Sequence, residues 1–583
     1  MTTRLAATRS SLVLSVILTL GCEAHISAPG ESAAPEGAAG TTTSASGGSG
    51  GSSIPPSLPM TGPTDEELRA TDPDLFAVAL QYFPGQVATA GPKRLFRLTR
   101  LQLDKTIESL LRSEPAASAI ALWPRDPLQT NYEYAANLSF SAANFTPLTT
   151  LADAISNAVK ADPSLLVNCA ADGNSPACLE QAARAFCQRA FRGTATEEQL
   201  DRLAKFFSAS VAAVGLEQAS ADFVNVTLTS PSHLFRDEVR TDPSGRLLPA
   251  QLLQSLTYTL ADAPPEGVGL ASPAADAKPL SDAELAGLVD RVLATPAARA
   301  KLVRFFMAWL EVKEPQDFDI APSAYPDFSP ELASAMVEDT RAFLEKQLSA
   351  ALPTLRELTE ATSAIVSEPS AFLYGLKAAG SVELDPTQRL GIFTQPAVIA
   401  SHSGPTTTRL VKRGVFFTRK VMCLPLGSPP PDVNTTVPAD VEGTERERIE
   451  SVTQPARCAG CHAFINPFGF MQENFDAIGR YRTEDAGKPI DANISVGFLD
   501  EGQLTTTSAV DALRGLTRSL RFQQCFTRQL FRFYLGRDEV EGDDPLLRQL
   551  FFELAQGSSQ SVVGLLRSLA KSTAIGFRSE EAP

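Results

Sequence analysis

The residues best placed to do chemistry are Cys458, Cys461 and His462, in the stretch Cys458–Ala459–Gly460–Cys461–His462. Two cysteines three apart with a histidine immediately after is the attachment pattern of a c-type haem. Each thiol adds to one vinyl group of the haem edge, so the thiols must lie about one helical turn apart. The next residue then lies under the ring plane, where an imidazole nitrogen can bind the iron. One covalent haem c is therefore the leading reading. A zinc site would need further Cys or His ligands, usually as a second close pair. The chain has no second CxxC and only four histidines. A redox dithiol usually sits between a strand and a helix of a thioredoxin-like fold. Here Arg457 precedes the pair, and Asn466–Pro467–Phe468–Gly469 follows it and reads as a loop.

The sixth iron ligand would decide the chemistry. A Met or a second His gives a closed iron suited to moving electrons, and an open face allows oxygen or peroxide chemistry. Candidates are Met471, Met422 and His402. Met471 follows His462 too closely to reach the opposite face without a tight reversal, and Met422 ends an apolar run that suits a core. His402, in the loop Ser401–His402–Ser403–Gly404, ranks first, with an iron lacking a second protein ligand close behind.

Covalent haem attachment happens outside the cytoplasm, and the amino terminus fits export. Arg4 and Arg9 form a basic start, and Ser11 to Leu20 is an apolar run too short to span a bilayer but suited to a signal peptide. Gly21–Cys22 resembles a lipoprotein cleavage site, although Thr19 stands where the usual pattern has Leu. Residues 1–21 then read as a signal peptide, Cys22 as a lipidated first residue, and residues 22–64, rich in Gly, Ser, Thr, Ala and Pro, as a flexible leash. Glu23 is not the Asp that holds some lipoproteins at the inner membrane, which points to the outer membrane and a cell-envelope location.

Elements that would position the haem segment are helical. The 583 residues are 43% apolar and 20% charged, a soluble globular composition with room for several domains. A formal charge of −16 argues against nucleic acid as a partner. Arg94 to Leu111 reads as one amphipathic helix, and Trp123 to Phe145 as irregular. Thr196 and Gln199 cap a helix to Val214 that Gly215 ends, and Ser281 with Glu284 caps another. Ala297–Leu310 carries an aromatic core face, and Ser329–Pro330 opens a helix to about Leu348. Phe522 to Leu535 is a late amphipathic helix closed by Gly536. Pro429–Pro430–Pro431 forces an extended segment. His233 lies among apolar neighbours and reads as packed.

Of the other cysteines, Cys169 and Cys178 bracket a polar loop that a disulfide could staple, which leaves Cys187 odd. With Cys458 and Cys461 taken by haem, Cys423 and Cys525 could form a second disulfide, buried free thiols being the alternative.

The run from Arg457–Cys458 through Asn466–Pro467–Phe468–Gly469–Phe470 to Asn474–Phe475–Asp476–Ala477–Ile478–Gly479–Arg480–Tyr481–Arg482 resembles the planctomycete cytochrome-c type of multidomain protein, a string of domains of unknown function. Shorter pieces match in order: Arg97–Leu98–Thr99–Arg100, Arg189–Ala190–Phe191–Arg192, Ser230–Pro231 with Phe235–Arg236, Arg413–Gly414, and Tyr534–Leu535–Gly536–Arg537. Asn466, where the family usually has Asp, the stretch Thr408–Arg409–Leu410, and His233 depart from its pattern. The resemblance covers roughly residues 94 to 575. It implies an exported, mostly helical, single-haem protein and no known reaction.

The expected fold is mainly α, with a multidomain helical body, few short strands and a C-terminal cytochrome-c-like segment. Expected boundaries are 65–160, 161–242, 243–380, 381–490 (haem-binding) and 491–583. The expected function is electron transfer to an unidentified redox partner protein, with the membrane reached through the lipid. A haem-dependent oxidase or peroxidase on an extracellular substrate, or a helical binding scaffold, are the alternatives, so whether the chain is an enzyme stays open.

Overall fold

In a computed structural model, the structure describes residues 62–580 apart from 112–119, 122, 130–131, 134–137, 170, 172, 274–276, 351–352, 429–441 and 557–560. The expected signal peptide, the expected lipidation site Cys22, residues 22–61 of the expected leash and the triple-proline segment lie outside the described residues. The protein is mainly α, 58% helical, with 9% strand in two-stranded sheets.

Most helices begin and end where local chemistry says. Thr196 and Gln199 exchange capping hydrogen bonds at the start of the Glu197–Val214 helix, and Gly215, at φ 83°, ends it. Ser281 and Glu284 do the same for Asp282–Leu293. Pro opens Pro296–Trp309 and Pro330–Gln347 at their first positions, and left-handed Gly536 closes Leu520–Leu535.

The stretch Trp123 to Phe145, read as irregular, holds the paired strands Leu128–Gln129 and Tyr132–Glu133 and the start of the helix Ala142–Ala161. Two further expectations fail. Arg94 to Leu111 is not one helix: Arg94–Arg97 is a strand paired antiparallel with Phe235–Glu238. Thr99 and Gln102 exchange side-chain-to-backbone bonds of 3.2 Å, so the helix starts at Arg100, and Leu95, on the strand, is 56% exposed. The second failure concerns the segment after Cys458–His462. Asn466–Pro467–Phe468–Gly469 is not a loop, because the helix Ala456–Phe470 runs through it with Pro467 inside. Proline removes one intrahelical bond, to the carbonyl of Ala463, and Ala463 is exposed, so water can satisfy that carbonyl.

The described chain lies in one compact unit, Ser57–Pro583. It is built on two main apolar cores. One gathers residues from Leu98 to Tyr258, so the segments expected as separate domains, 65–160 and 161–242, share it, and the helix Ala142–Ala161 crosses their expected boundary. The larger core runs from Leu68 to Ile575 and takes in the helix Ala456–Phe470 through Phe468 and Phe470. At its centre Trp309 meets Phe526 at 5.3 Å and Phe393 at 5.7 Å, and its indole N–H donates to the Lys420 carbonyl at 2.9 Å.

Buried arginines join distant segments. Arg192 donates to the carbonyls of Ala190, His233, Ser232 and Phe235. Arg389 donates to those of Thr394, Leu373 and Gly479. Arg413 donates to Gln472, Phe475 and Asp476 carbonyls and to the Ser403 hydroxyl, at 2.7 to 3.0 Å. Several oriented carbonyls around each guanidinium offset its desolvation. Arg413 thereby fixes the chain just beyond the helix Ala456–Phe470.

The helix Leu410–Phe416 lies against Ala456–Phe470 with backbones touching. A Cβ on Gly414 would sit 2.2 Å from the Ile465 carbonyl oxygen, and one on Gly469 would sit 2.3 Å from that of Leu410. Only glycine fits at either point.

Cysteines 169 and 178 form a disulfide, as do 423 and 525. Cys187 is free and buried, and burial pushes its thiol up to about 12. No helix among the described residues is long and apolar enough to cross a membrane.

Candidate haem-attachment site

The helix Ala456–Phe470 starts directly after Pro455, with no side-chain cap. Cys458, Cys461 and His462 occupy its first two turns and, at roughly 100° per residue, share one side of it within about 100° of arc. Cys458 and His462 are half-buried, Cys461 is exposed, and both thiols are free. A Cβ added at Gly460 would meet nothing within 4 Å, so this end of the helix faces open space.

The imidazole of His462 is oriented by a chain of hydrogen bonds whose direction can be read. The Thr453 hydroxyl donates to the Ile449 carbonyl at 2.8 Å, which can only accept. The Thr453 oxygen in turn accepts from the Asn466 amide nitrogen at 3.0 Å. That turns the Asn466 carbonyl oxygen to His462 Nδ1, 2.7 Å away, so Nδ1 carries the proton. Nε2 is left with its lone pair and no hydrogen bond among the described residues. A donated Nδ1–H and a bare Nε2 are the state in which histidine binds a metal.

Beside this imidazole is a cavity of about 430 Å3 bordered by His462, Asn466, Phe470, Arg446, Glu450 and Asn493. The Arg446 guanidinium stands 4.6 Å over the Phe470 ring. It pairs with Glu450 at 3.0 Å and donates to the carbonyls of Asp491 and Asn493 at 2.7 and 2.8 Å. Behind it lies Glu473, fully buried, with one oxygen accepting from the Arg446 backbone N–H at 3.3 Å and the other without a partner. Burial pushes its carboxyl up to about 7.

The donor set fits a c-type haem. Two free thiols one helical turn apart could carry the thioethers, and His462 Nε2 could take the iron. A zinc site fits less well: among the described residues no three Cys, His, Asp or Glu side chains are grouped to hold a metal ion.

The structure does not bring His402 to this cavity. The Pro396–Ser401 helix ends just before it, and the ring turns inward, Nε2–H donating to the Leu310 carbonyl at 3.0 Å. It stacks on Phe416 with centroids 4.0 Å apart, and burial pushes its pKa down to about 3. Met422 and Met471 are fully buried in the large core. His233 is buried, with Nδ1 3.2 Å from the Ala190 carbonyl oxygen.

Asn466, Thr453 and Arg446 were not legible as site residues. Asn466 had a signal, its place four residues after His462, but the following proline disguised the helix that makes the spacing meaningful. The departure Thr408–Arg409–Leu410 is also accommodated. The buried Glu445 carboxylate accepts the Thr408 and Leu410 backbone N–H groups at 3.2 and 3.0 Å, and Arg409 takes a left-handed φ of 49°.

Residues 178–238 match a protein of unknown function, DUF1595 (PSD5), residues 247–376 match DUF1592 (PSD4), and residues 389–485 match DUF1588 (PSCyt3). Three domains of unknown function stand in tandem. Together they fit the planctomycete cytochrome-c-type family. The PSCyt3 match contains Cys458, Cys461, His462 and Asn466, and its name hints at a cytochrome-like role. No curated protein and no solved structure is significantly similar to the chain.

Proposed function

We propose that this chain is a cell-envelope lipoprotein anchored at Cys22 that carries one haem c on Cys458 and Cys461 with His462 as axial ligand, and that it transfers electrons. The hydrogen-bond chain from Ile449 through Thr453 and Asn466 to His462 carries the reading, because it leaves Nε2 as a bare donor beside two free thiols. When bound, the haem would supply a one-electron couple. Thr453 and Asn466 hold the ligand in one tautomer, and the Arg446–Phe470 wall shields one side of it. Attachment at an exposed helix end would keep a haem edge near solvent, where a partner protein can approach. The net charge of −16 favours a basic partner.

A second reading, a haem-dependent oxidase or peroxidase, has one observation in its favour. Among the described residues that border the cavity, His462 is the one His or Met, so a small molecule could take the sixth position.

The test is to produce the full chain with a c-type haem maturation system and record absorption spectra, oxidised and reduced, with and without carbon monoxide. A covalent haem absent from Cys458→Ser/Cys461→Ser supports attachment. A spectrum indifferent to carbon monoxide supports electron transfer, and one that shifts supports the oxidase or peroxidase. No covalent haem under active maturation removes both.

A further inference from the structure

A second cavity, of about 440 Å3, adjoins the first. The segment Asp491–Ser495 passes between them: Asp491, Ala492 and Asn493 border the second cavity, and Asn493, Ile494 and Ser495 the first. Arg446 pins this partition through the Asp491 and Asn493 carbonyls and pairs with the Asp491 carboxylate at 3.3 Å.

The second cavity differs in chemistry from the first. No Lys, Arg or His is among the described residues that border it, so a phosphate or carboxylate would find no cation there. Its one charged group, Asp491, is paired with Arg446, which weakens its attraction for a cation. What remains is neutral and polar. The Asn474 amide nitrogen donates to the Arg482 carbonyl at 3.0 Å, leaving its Oδ1 as an acceptor. The Gln388 carboxamide and the Tyr481 hydroxyl make no hydrogen bond within the described protein. The Tyr481 ring is held edge-on against Phe475, with centroids 5.7 Å apart, on a small core that includes Ile399 and Ala509. A fixed aromatic surface ringed by unused donors and acceptors, in a cavity of ligand size, suits a compact molecule that both donates and accepts and has an apolar C–H face.

We propose that this cavity binds a neutral, polyhydroxylated ligand of saccharide type, stacked on Tyr481 and read by Gln388 and Asn474. The cavity is made by the chain alone, so the proposal stands or falls independently of the haem.

The full chain, in haem-loaded and haem-free form, is screened on an array of neutral, acidic and amino glycans, and the strongest neutral glycan is then titrated by calorimetry as the free sugar. The expected result is saturable binding of a neutral glycan that Tyr481→Ala and Gln388→Ala each weaken by about tenfold or more, with thermal unfolding of the Gln388 variant unchanged. Binding confined to acidic or amino glycans, no binding to any glycan, or a neutral glycan whose affinity neither variant alters would each overturn it.

Discussion

The Nδ1 atom of His462 lies 2.7 Å from the carbonyl oxygen of Asn466, one turn further along the same helix. The pair faces each other only because Pro467 is tolerated inside the helix. Replacing Asn466 by Ala frees the ring and should lower the yield of correctly ligated haem severalfold. Asn466→Asp keeps an acceptor and strengthens it, raising the basicity of the ligand. It should retain haem and lower the midpoint potential, on the order of tens of millivolts. Pyridine haemochrome yield and redox titration check both, and an unchanged potential in Asn466→Asp would dismiss the orienting role.

His402→Gln should leave the spectrum and the carbon monoxide response of the haem form unchanged, because the ring is spent on Leu310 and Phe416. It should instead cost stability, about 1–3 kcal/mol for a buried hydrogen-bonding group. A variant that newly binds carbon monoxide would restore His402 as an iron ligand.

Glu473 ties stability to pH. Burial raises its carboxyl from 4.5 to about 7; the Arg446 N–H and Arg482 pull it down in part, and Asp485 and Glu445 push it up. The folded state therefore holds an extra proton between these values. Its stabilising effect is full below about pH 4.5 and is lost as pH rises through about 7. Glu473→Gln stays neutral. Its unfolding free energy relative to the parent should rise by about 1–3 kcal/mol from about pH 5 to about pH 8. Denaturant titrations at both pH values measure this, and a flat difference would refute it.

Gly414→Ala and Gly469→Ala should each push apart the helices Leu410–Phe416 and Ala456–Phe470, since the new Cβ lies 2.2 or 2.3 Å from a carbonyl oxygen. A loss of about 1–3 kcal/mol is expected. Gly460→Ala, at the open end of the same helix, should be neutral or slightly stabilising. Melting temperatures of the three variants decide it.

The two disulfides close loops of different length, with separations of 102 residues for Cys423–Cys525 and 9 for Cys169–Cys178. Loop closure entropy gives about 4.7 against about 2.6 kcal/mol. Removing the first by Cys423→Ser/Cys525→Ser should lower the unfolding midpoint more than removing the second. The reverse order would show that local packing outweighs chain entropy here.

Much of the helical body was legible because its signals are local. A Thr or Ser at the cap with Gln or Glu three residues on, Pro at the first position and Gly beyond the last turn act within one turn. They marked Glu197–Val214, Asp282–Leu293 and Leu520–Leu535. The spacing of Cys458, Cys461 and His462 is local in the same sense, and so a covalent haem could be expected from the sequence. Tertiary structure decided what depends on distant partners. Arg94–Arg97 is a strand because Phe235–Glu238 offers it a ladder. His402 faces the core because the Leu310 carbonyl is there to accept. The lone pair of His462 Nε2 is set by Thr453 and Asn466, and the two cavities are divided by a segment that Arg446 holds. Short-range periodicity carries no information on which carbonyl a buried donor will find. That is settled when close packing leaves each polar group a single partner.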